Sequence, residues 1–234
     1  MDLSVVIPTY NEKENIEEMV SRVDKECKTN GISAEIIVVD DNSPDGTWKI
    51  VQRMMKKRKN LRLILRKKRE GLGVALFQGY QNSKGKVICS IDADLSIDPS
   101  YIPKVYKKIQ DGYDLITGSR FMKAEDSKVV GKPKFKVWTS KGAALLASIL
   151  FRMNLHDYTL NFRTFKRKVV PKTFESKGNV FLAEFLYTAK KRGFKVGEYP
   201  ITFAERTRGR SKMRRTREIF LFLIALIKLR LKTF

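Results

Sequence analysis

Five short apolar runs pace the first half of the chain: LSVVI from Leu3, EIIVV from Glu35, LRLIL from Leu61, VICSI from Val87 and YDLIT from Tyr113. Their β-branched residues suit strands. From the second run onward each begins 26 residues after the one before, which leaves room for one helix and two loops. That is the βαβ pattern of a parallel sheet. The intervening helices are also legible. In NEKENIEEMVSRVDKEC, Asn11 stands as an N-cap with Glu14 three residues on, the spacing of a capping box. Ile16, Met19, Val20, Val23 and Cys27 then follow the helical period. The first half therefore reads as α/β.

Beyond about Gly118 the pattern changes. GSRFMKAEDSKVVGKPKFK is a polar, basic loop, and VWTSKGAALLASILFRM reads as an apolar helix. GNVFLAEFLYTAKKRG reads as an amphipathic helix that stops at Lys-Lys-Arg-Gly. KVGEYPITFAERTRGRSKM is expected as strand and loop, and RRTREIFLFLIALIKLRLKTF as a terminal helix. No internal repeat or low-complexity segment interrupts the sequence.

Parallel sheets of this kind bind ligands beyond the carboxyl ends of their strands. The segments that fall there are Pro8-Thr9-Tyr10-Asn11-Glu12, Asp40-Asp41-Asn42-Ser43 and Asp92-Ala93-Asp94. In an extended chain residues i and i+2 point the same way, so Asp92 and Asp94 set two negative charges side by side. Such charges repel unless something positive lies between them. A lone D-x-D also fits a solvated strand end before a Pro-capped helix. Three polar and acidic loops converging on one edge favour a divalent cation, Mg²⁺ or Mn²⁺, held by hard carboxylate oxygens against a diphosphate.

Composition narrows the partners without choosing one. The 234 residues are 42% hydrophobic and 10% aromatic, enough for a packed core. Against 25 Asp+Glu stand 48 Lys+Arg, a net charge of +23. Such a surface attracts phosphate, as nucleic acid, anionic lipid or phosphorylated substrate. Cys27 and Cys89 form no C-x-x-C and read as buried thiols of a reducing compartment. The opening MDLSVVIPTY has no basic n-region, so no secretory signal is expected. The longest apolar stretches, GAALLASILF and IFLFLIALI, are too short to span a bilayer, which takes about 18 residues or more.

The residues now in view resemble those of the family 2 glycosyltransferases, specifically the dolichol-phosphate mannose synthase group. VVIPTYNE (Val5 to Glu12), IIVVDDNSPDGT (Ile36 to Thr47), GLGVALFQGY (Gly71 to Tyr80), IDADL, GSRF (from Gly118) and YPITFAERTRGRSKM (Tyr199 to Met213) resemble that group's motifs in consistent order. The resemblance implies an α/β, Rossmann-like nucleotide-diphospho-sugar transferase fold of glycosyltransferase A type, its central sheet mainly parallel with helices on both faces. It implies that Pro8, Tyr10, Glu12 and Asp41, with Asp40, contact the donor nucleotide, and that Asp92, Ala93 and Asp94 meet its diphosphate. Asp92, Asp94 and Ser96 would hold the metal. Arg120, Lys136, Ser140, Arg206 and Lys212 would surround the acceptor phosphate and leaving group, with Asp94, Arg120, Arg206 and Lys212 as the catalytic set. Three positions depart from the family: Ser96 replaces a usual Gln, DYTLNFR (Asp157 to Arg163) replaces D-x-T-S-G-F-R, and Lys136 replaces an Arg.

The reaction this implies is a metal-dependent, inverting transfer of a hexose, mannose from GDP-mannose, to a polyisoprenyl (dolichyl) phosphate. A monoester phosphate, with a second pKa of about 6, is largely anionic at neutral pH and needs cations rather than a base. The single histidine, His156, belongs to no motif and is expected to be structural. Glu184, a late acid that could serve as a base, is better read as a polar position on an amphipathic helix. The alternatives are a UDP-glucose or other UDP-sugar donor, or a sugar hydroxyl acceptor served by a base. Charge alone suggests nucleic acid, which the acidic sheet edge argues against.

Residues 1–218 are expected to form the catalytic domain and 219–234 an amphipathic, membrane-interfacial helix. That arrangement implies a peripheral protein on the cytoplasmic face, with no spanning segment. From Arg206 to Arg217 there are seven Lys/Arg and no acid. The basic run Lys56 to Glu70 matches no motif and is read as solvated surface.

Overall fold

The computed structural model describes residues 1–125, 127–131, 134–204 and 224–231, with the backbone alone described at 134–136. All five expected strands form: β1 (Leu3–Thr9), β2 (Ala34–Asp40), β3 (Leu61–Leu65), β4 (Val87–Ile91) and β5 (Leu115–Ser119). Between them run α1 (Ile16–Thr29), α2 (Thr47–Met55), α3 (Leu72–Gln81) and α4 (Tyr101–Gln110). The later chain adds β6 (Lys128–Val130), α5 (Lys134–Phe151), β7 (Phe162–Lys166), α6 (Val180–Lys191), β8 (Val196–Pro200) and β9 (Thr202–Ala204). Residues 224–231 are helical. Among the described residues no helix is long and apolar enough to cross a membrane.

The main sheet has the order β3-β2-β1-β4-β7-β5-β8. Its neighbours are parallel except around β7, which lies antiparallel between β4 and β5. β6 and β9 pair apart from it as a short parallel ribbon. Alternation along the strands feeds two cores, one on each face. On one face Leu3, Val5, Ile7, Ile36 and Val38 meet α1, α2 and α4. On the other Val6, Ile37 and Val39 meet α3, α5, α6 and the 224–231 helix.

The capping-box expectation is corrected. Helix α1 begins at Ile16 with Asn15 as N-cap, and Asn11 sits in the left-handed region at φ 56°. Asn15 Nδ2 donates to Glu12 Oε2 at 2.8 Å, so the Asn–Glu pairing runs back from the N-cap to Glu12 and not forward to Glu14 as a capping box would. The motif at Gly71 has a steric reason. Gly71 has φ +108°, and a Cβ there would fall 2.4 Å from the carbonyl oxygen of Lys177. Only glycine lets the start of α3 close against the loop that precedes α6.

Candidate active site at the carboxyl edge of the sheet

The loops after β1 and β2 are built as one piece. Asn11 N–H donates to Ser43 Oγ and Glu12 N–H to Thr47 Oγ1, each at 2.9 Å. Asp40 is the brace. Its Oδ2 accepts from Thr9 Oγ1 and Ser43 Oγ at 2.7 Å, and its Oδ1 accepts the Ser43 N–H at 2.8 Å. With no exposed surface, Asp40 holds the loop, and the neighbouring Asp41 presents the carboxylate. Burial pushes Asp41 above its ordinary carboxyl pKa, against the opposing charges of Arg66 and Arg69.

Arg66 and Arg69 correct the reading of Lys56 to Glu70 as solvated surface. Arg66 is 6% exposed and pairs through Nη1 with Asp41 Oδ1 at 2.5 Å and through Nη2 with Glu70 Oε2 at 2.8 Å. The Arg69 guanidinium lies 4.3 Å from the centre of the Tyr10 ring, a cation–π stack. The signal was positional: both residues follow the end of β3, at the same edge as the other loops.

After β4 the chain turns sharply through Leu95, at φ 58°. Asp94 is buried, and its Oδ1 accepts the Ser96 N–H at 3.1 Å. Asp92, half-buried, accepts from Asn161 Nδ2 at 2.8 Å. Two further oxygens, Ser96 Oγ and Asn161 Oδ1, are buried without a hydrogen-bond partner among the described residues. Leaving such atoms unpaired is costly. Two carboxylates with two unsatisfied neutral oxygens nearby suit a hard divalent cation. The described residues hold no cluster of three His, Cys, Asp or Glu side chains, so a cation here would complete its sphere with substrate or water oxygens. Asn161, which sits just before β7, was not singled out in the sequence.

Strand β9 ties this loop to the cationic side of the site. Ala204 N–H donates to the Ser96 carbonyl at 2.9 Å, and the Phe203 ring centre lies 5.5 Å from the Arg120 guanidinium. Arg120 itself, 9% exposed, is gripped by Asp157: Nε to Oδ2 at 2.6 Å and Nη2 to Oδ1 at 2.9 Å. Nη2 also donates to Thr159 Oγ1 at 2.9 Å. The departing segment DYTLNFR thus supplies two groups that orient Arg120. Glu198 on β8 fixes that segment in turn, its Oε1 accepting the N–H groups of His156 and Asp157 at 2.8 and 3.0 Å.

Ser140 lies half-buried on α5, and Lys136 belongs to the first turn of that helix, its side chain outside the described part. Arg206 and Lys212 lie outside the described residues, beyond Ala204. Pro8 is within β1, and Ala93, 2% exposed, packs into the core. Glu184 is buried, its two oxygens accepting the N–H groups of Glu175 and Ser176 at 2.9 Å. His156 stays at the surface with Nδ1 2.8 Å from Glu198 Oε2. His156 matches its structural reading, whereas Glu184 is not the polar position of an amphipathic helix: α6 is buried from Phe181 to Tyr187, and Glu184 is a buried acceptor for the preceding loop.

Comparison with known proteins adds an independent view. The family described as Glycosyl transferase family 2 matches residues 4–174. The Dolichol-phosphate mannosyltransferase of Pyrococcus furiosus is 38% identical over 217 residues, 92% of this chain and 60% of the archaeal protein. The chain therefore spans about three fifths of that relative's length. The Polyprenol monophosphomannose synthase of Mycolicibacterium smegmatis is 34% identical over 217 residues, 89% of this chain and 80% of its own. Glucosyl-3-phosphoglycerate synthase from Mycobacterium tuberculosis, solved with Mn²⁺, uridine-diphosphate and glucosyl-3-phosphoglycerate, superposes with a TM-score of 0.73 at 18% identity. That superposition covers 98% of this chain and 79% of the other. The likeness bears out the expected A-type fold.

Proposed function

The chain belongs to glycosyl transferase family 2, and from that premise we propose that it transfers mannose from GDP-mannose to a polyisoprenyl phosphate such as dolichyl phosphate. The observation that carries this reading is the β9 tether. It joins the Asp92–Asp94 loop at Ser96 and packs on Arg120, so a cationic acceptor side adjoins the diphosphate side. The candidate base Glu184 is spent on backbone N–H groups. An acceptor that is already anionic needs no base. The names of the archaeal and mycobacterial relatives point to the same substrate class.

Tyr10, with Arg69 stacked on it, offers a shelf for the donor base, and Pro8, Glu12 and Asp41 line the nucleotide, with Asp40 as their brace. Asp92 and Asp94 would hold Mg²⁺ or Mn²⁺, joined by Ser96 Oγ and Asn161 Oδ1. When bound, the ion neutralises charge developing on the diphosphate leaving group. Arg120, Lys136, Ser140, Arg206 and Lys212 hold the acceptor phosphate so that one oxygen faces the anomeric carbon. The new carbon–oxygen bond forms as the bond to the diphosphate breaks, which inverts the configuration and releases the nucleoside diphosphate. Residues 1–218 form the catalytic part in this reading. Residues 219–234 rest on the cytoplasmic face of a membrane as an interfacial helix.

The test incubates the full chain with labelled GDP-mannose or UDP-glucose, polyprenyl phosphate in detergent, and added Mg²⁺ or Mn²⁺. Label from GDP-mannose should enter the organic phase and stop with excess chelator. Asp94→Ala should abolish it while the fold persists. Label that enters only a water-soluble sugar would overturn the reading.

A further inference from the structure

Strand β8 is the outer strand of the sheet and half-buried along its length, yet the side chain of Glu198 in its middle is only 5% exposed. A buried carboxylate is costly unless charge or hydrogen bonds compensate it. Among the described residues Glu198 is paired not with Lys or Arg but with the ring of His156, Nδ1 to Oε2 at 2.8 Å. Its Oε1 takes the N–H groups of His156 and Asp157. All three contacts come from two consecutive residues of the irregular stretch between α5 and β7. That stretch carries the grip on Arg120. Asp157 meets Arg120 at Nε and Nη2, and its Oδ2 also lies 3.4 Å from the Arg120 backbone nitrogen. The Phe121 and Phe203 ring centres stand 4.9 and 5.5 Å from the same guanidinium. Phe203 belongs to β9, which begins one residue beyond β8, so the strand that holds Glu198 reaches Arg120 by two routes. Arg120 directly follows β5, where Thr117 lies opposite Glu198.

We propose that Glu198 is a positioning residue of the acceptor site. By fixing the backbone at His156 and Asp157 it sets the plane in which Asp157 holds Arg120, and so the direction from which Arg120 meets the acceptor phosphate. A guanidinium is a planar fork, so its hydrogen bonds depend on direction as well as distance. A turn of Asp157 would turn Arg120 with it. The atoms divide the work unequally. Oε1 alone takes both backbone N–H groups, whereas Oε2 holds only an imidazole that is 46% exposed. Glutamine at position 198 can keep an oxygen where Oε1 lies, and alanine at position 156 keeps its N–H, so neither change removes the brace. The proposal rests on the acceptor role of Arg120 given under Proposed function.

The experiment uses the full chain in detergent with GDP-mannose, Mn²⁺ and a short-chain isoprenyl phosphate. It reads kcat and KM for the acceptor, and the affinity for GDP with Mn²⁺ by calorimetry. Circular dichroism reports the fold. Glu198→Asp keeps the charge but is one methylene too short to reach both N–H groups. It should lower kcat/KM for the acceptor about tenfold or more and leave GDP affinity unchanged, as should Glu198→Ala. Glu198→Gln and His156→Ala should each stay within about threefold of the parent protein. Glu198→Asp added to Arg120→Ala should cost nothing further, because Glu198 acts through Arg120. The aspartate and glutamine variants carry the test even where the alanine variant does not fold. Unchanged acceptor kinetics in Glu198→Asp overturn the proposal. So does a loss shared equally by GDP affinity, or one that adds in full to Arg120→Ala, since either makes Glu198 a general support of the fold. A glutamine variant as impaired as the aspartate one also overturns it. A parent protein that transfers nothing to isoprenyl phosphate overturns the acceptor reading and this role with it, a failure distinct from transfer that the Glu198 variants leave intact.

Discussion

Arg120 is a cation with its partner already attached. Asp157, 1% exposed, meets it at Nε and Nη2, so the guanidinium plane is fixed and its charge is compensated within the protein. A buried pair of this kind is weak evidence for stability, yet removing one member strands the other. Asp157→Asn should cost roughly 3 kcal/mol in urea unfolding. Adding Arg120→Met should recover part of that loss, since the stranded charge is gone. A double variant no more stable than the single one would mean the pair does not act as a unit. Ser96 carries the opposite signature. Its buried hydroxyl has no partner among the described residues, so Ser96→Ala should leave unfolding stability unchanged or slightly raised. If the hydroxyl completes a cation's shell, the same change should raise the Mg²⁺ or Mn²⁺ concentration needed for half-maximal transfer. An unchanged requirement would remove Ser96 from the shell.

At the scale of elements, the edge of the sheet is fastened by one carboxylate. Asp114, just before β5, accepts the Lys195 N–H at 3.1 Å and faces Lys166 and Lys168 at 3.1 and 3.0 Å. Burial alone would raise its pKa, but these partners outweigh it and bring the carboxyl from 3.8 down to about 2. A depressed folded-state pKa gives stability that is complete above the ordinary value and drains away as pH falls toward the folded one. Asp114 should therefore contribute about 2 kcal/mol at neutral pH. Asp114→Asn should lose that amount and flatten the fall of stability between about pH 4 and pH 2, read from urea midpoints across that range. Strands β1 to β5 were legible because their apolar runs keep an even pace. β7 was not, since FRTFK mixes Phe162 and Phe165 with Arg163, whose fully buried side chain bonds to carbonyls of Tyr158 and Leu182. Its place follows from pairing with β4, with Ile91 opposite Phe162, a contact no local pattern contains. Asn11 was misread for the same reason: Ser43 and Thr47, far along the chain, set the loop it sits in.

At the scale of the molecule, the acidic loops were readable from the rule that ligands gather at strand ends, whereas their supports were not. Arg66, Asp157, Asn161 and Glu198 act through partners 25 to 69 residues away. The net charge of +23 leaves two jobs for the basic residues, binding the acceptor and holding an anionic surface. Salt separates them, because surface attraction weakens as the Debye length shrinks while a charge-assisted hydrogen bond in a closed site is screened far less. If Arg206 and Lys212 grip the acceptor phosphate, Arg206→Ala should slow transfer about 100-fold, in detergent with a soluble short-chain acceptor as much as on vesicles. Replacing Arg208 and Arg210 together should weaken vesicle binding at low salt, with a loss that shrinks as salt rises, and should leave the detergent rate intact. Full recovery of Arg206→Ala in detergent would move Arg206 from the acceptor site to the membrane-facing charge.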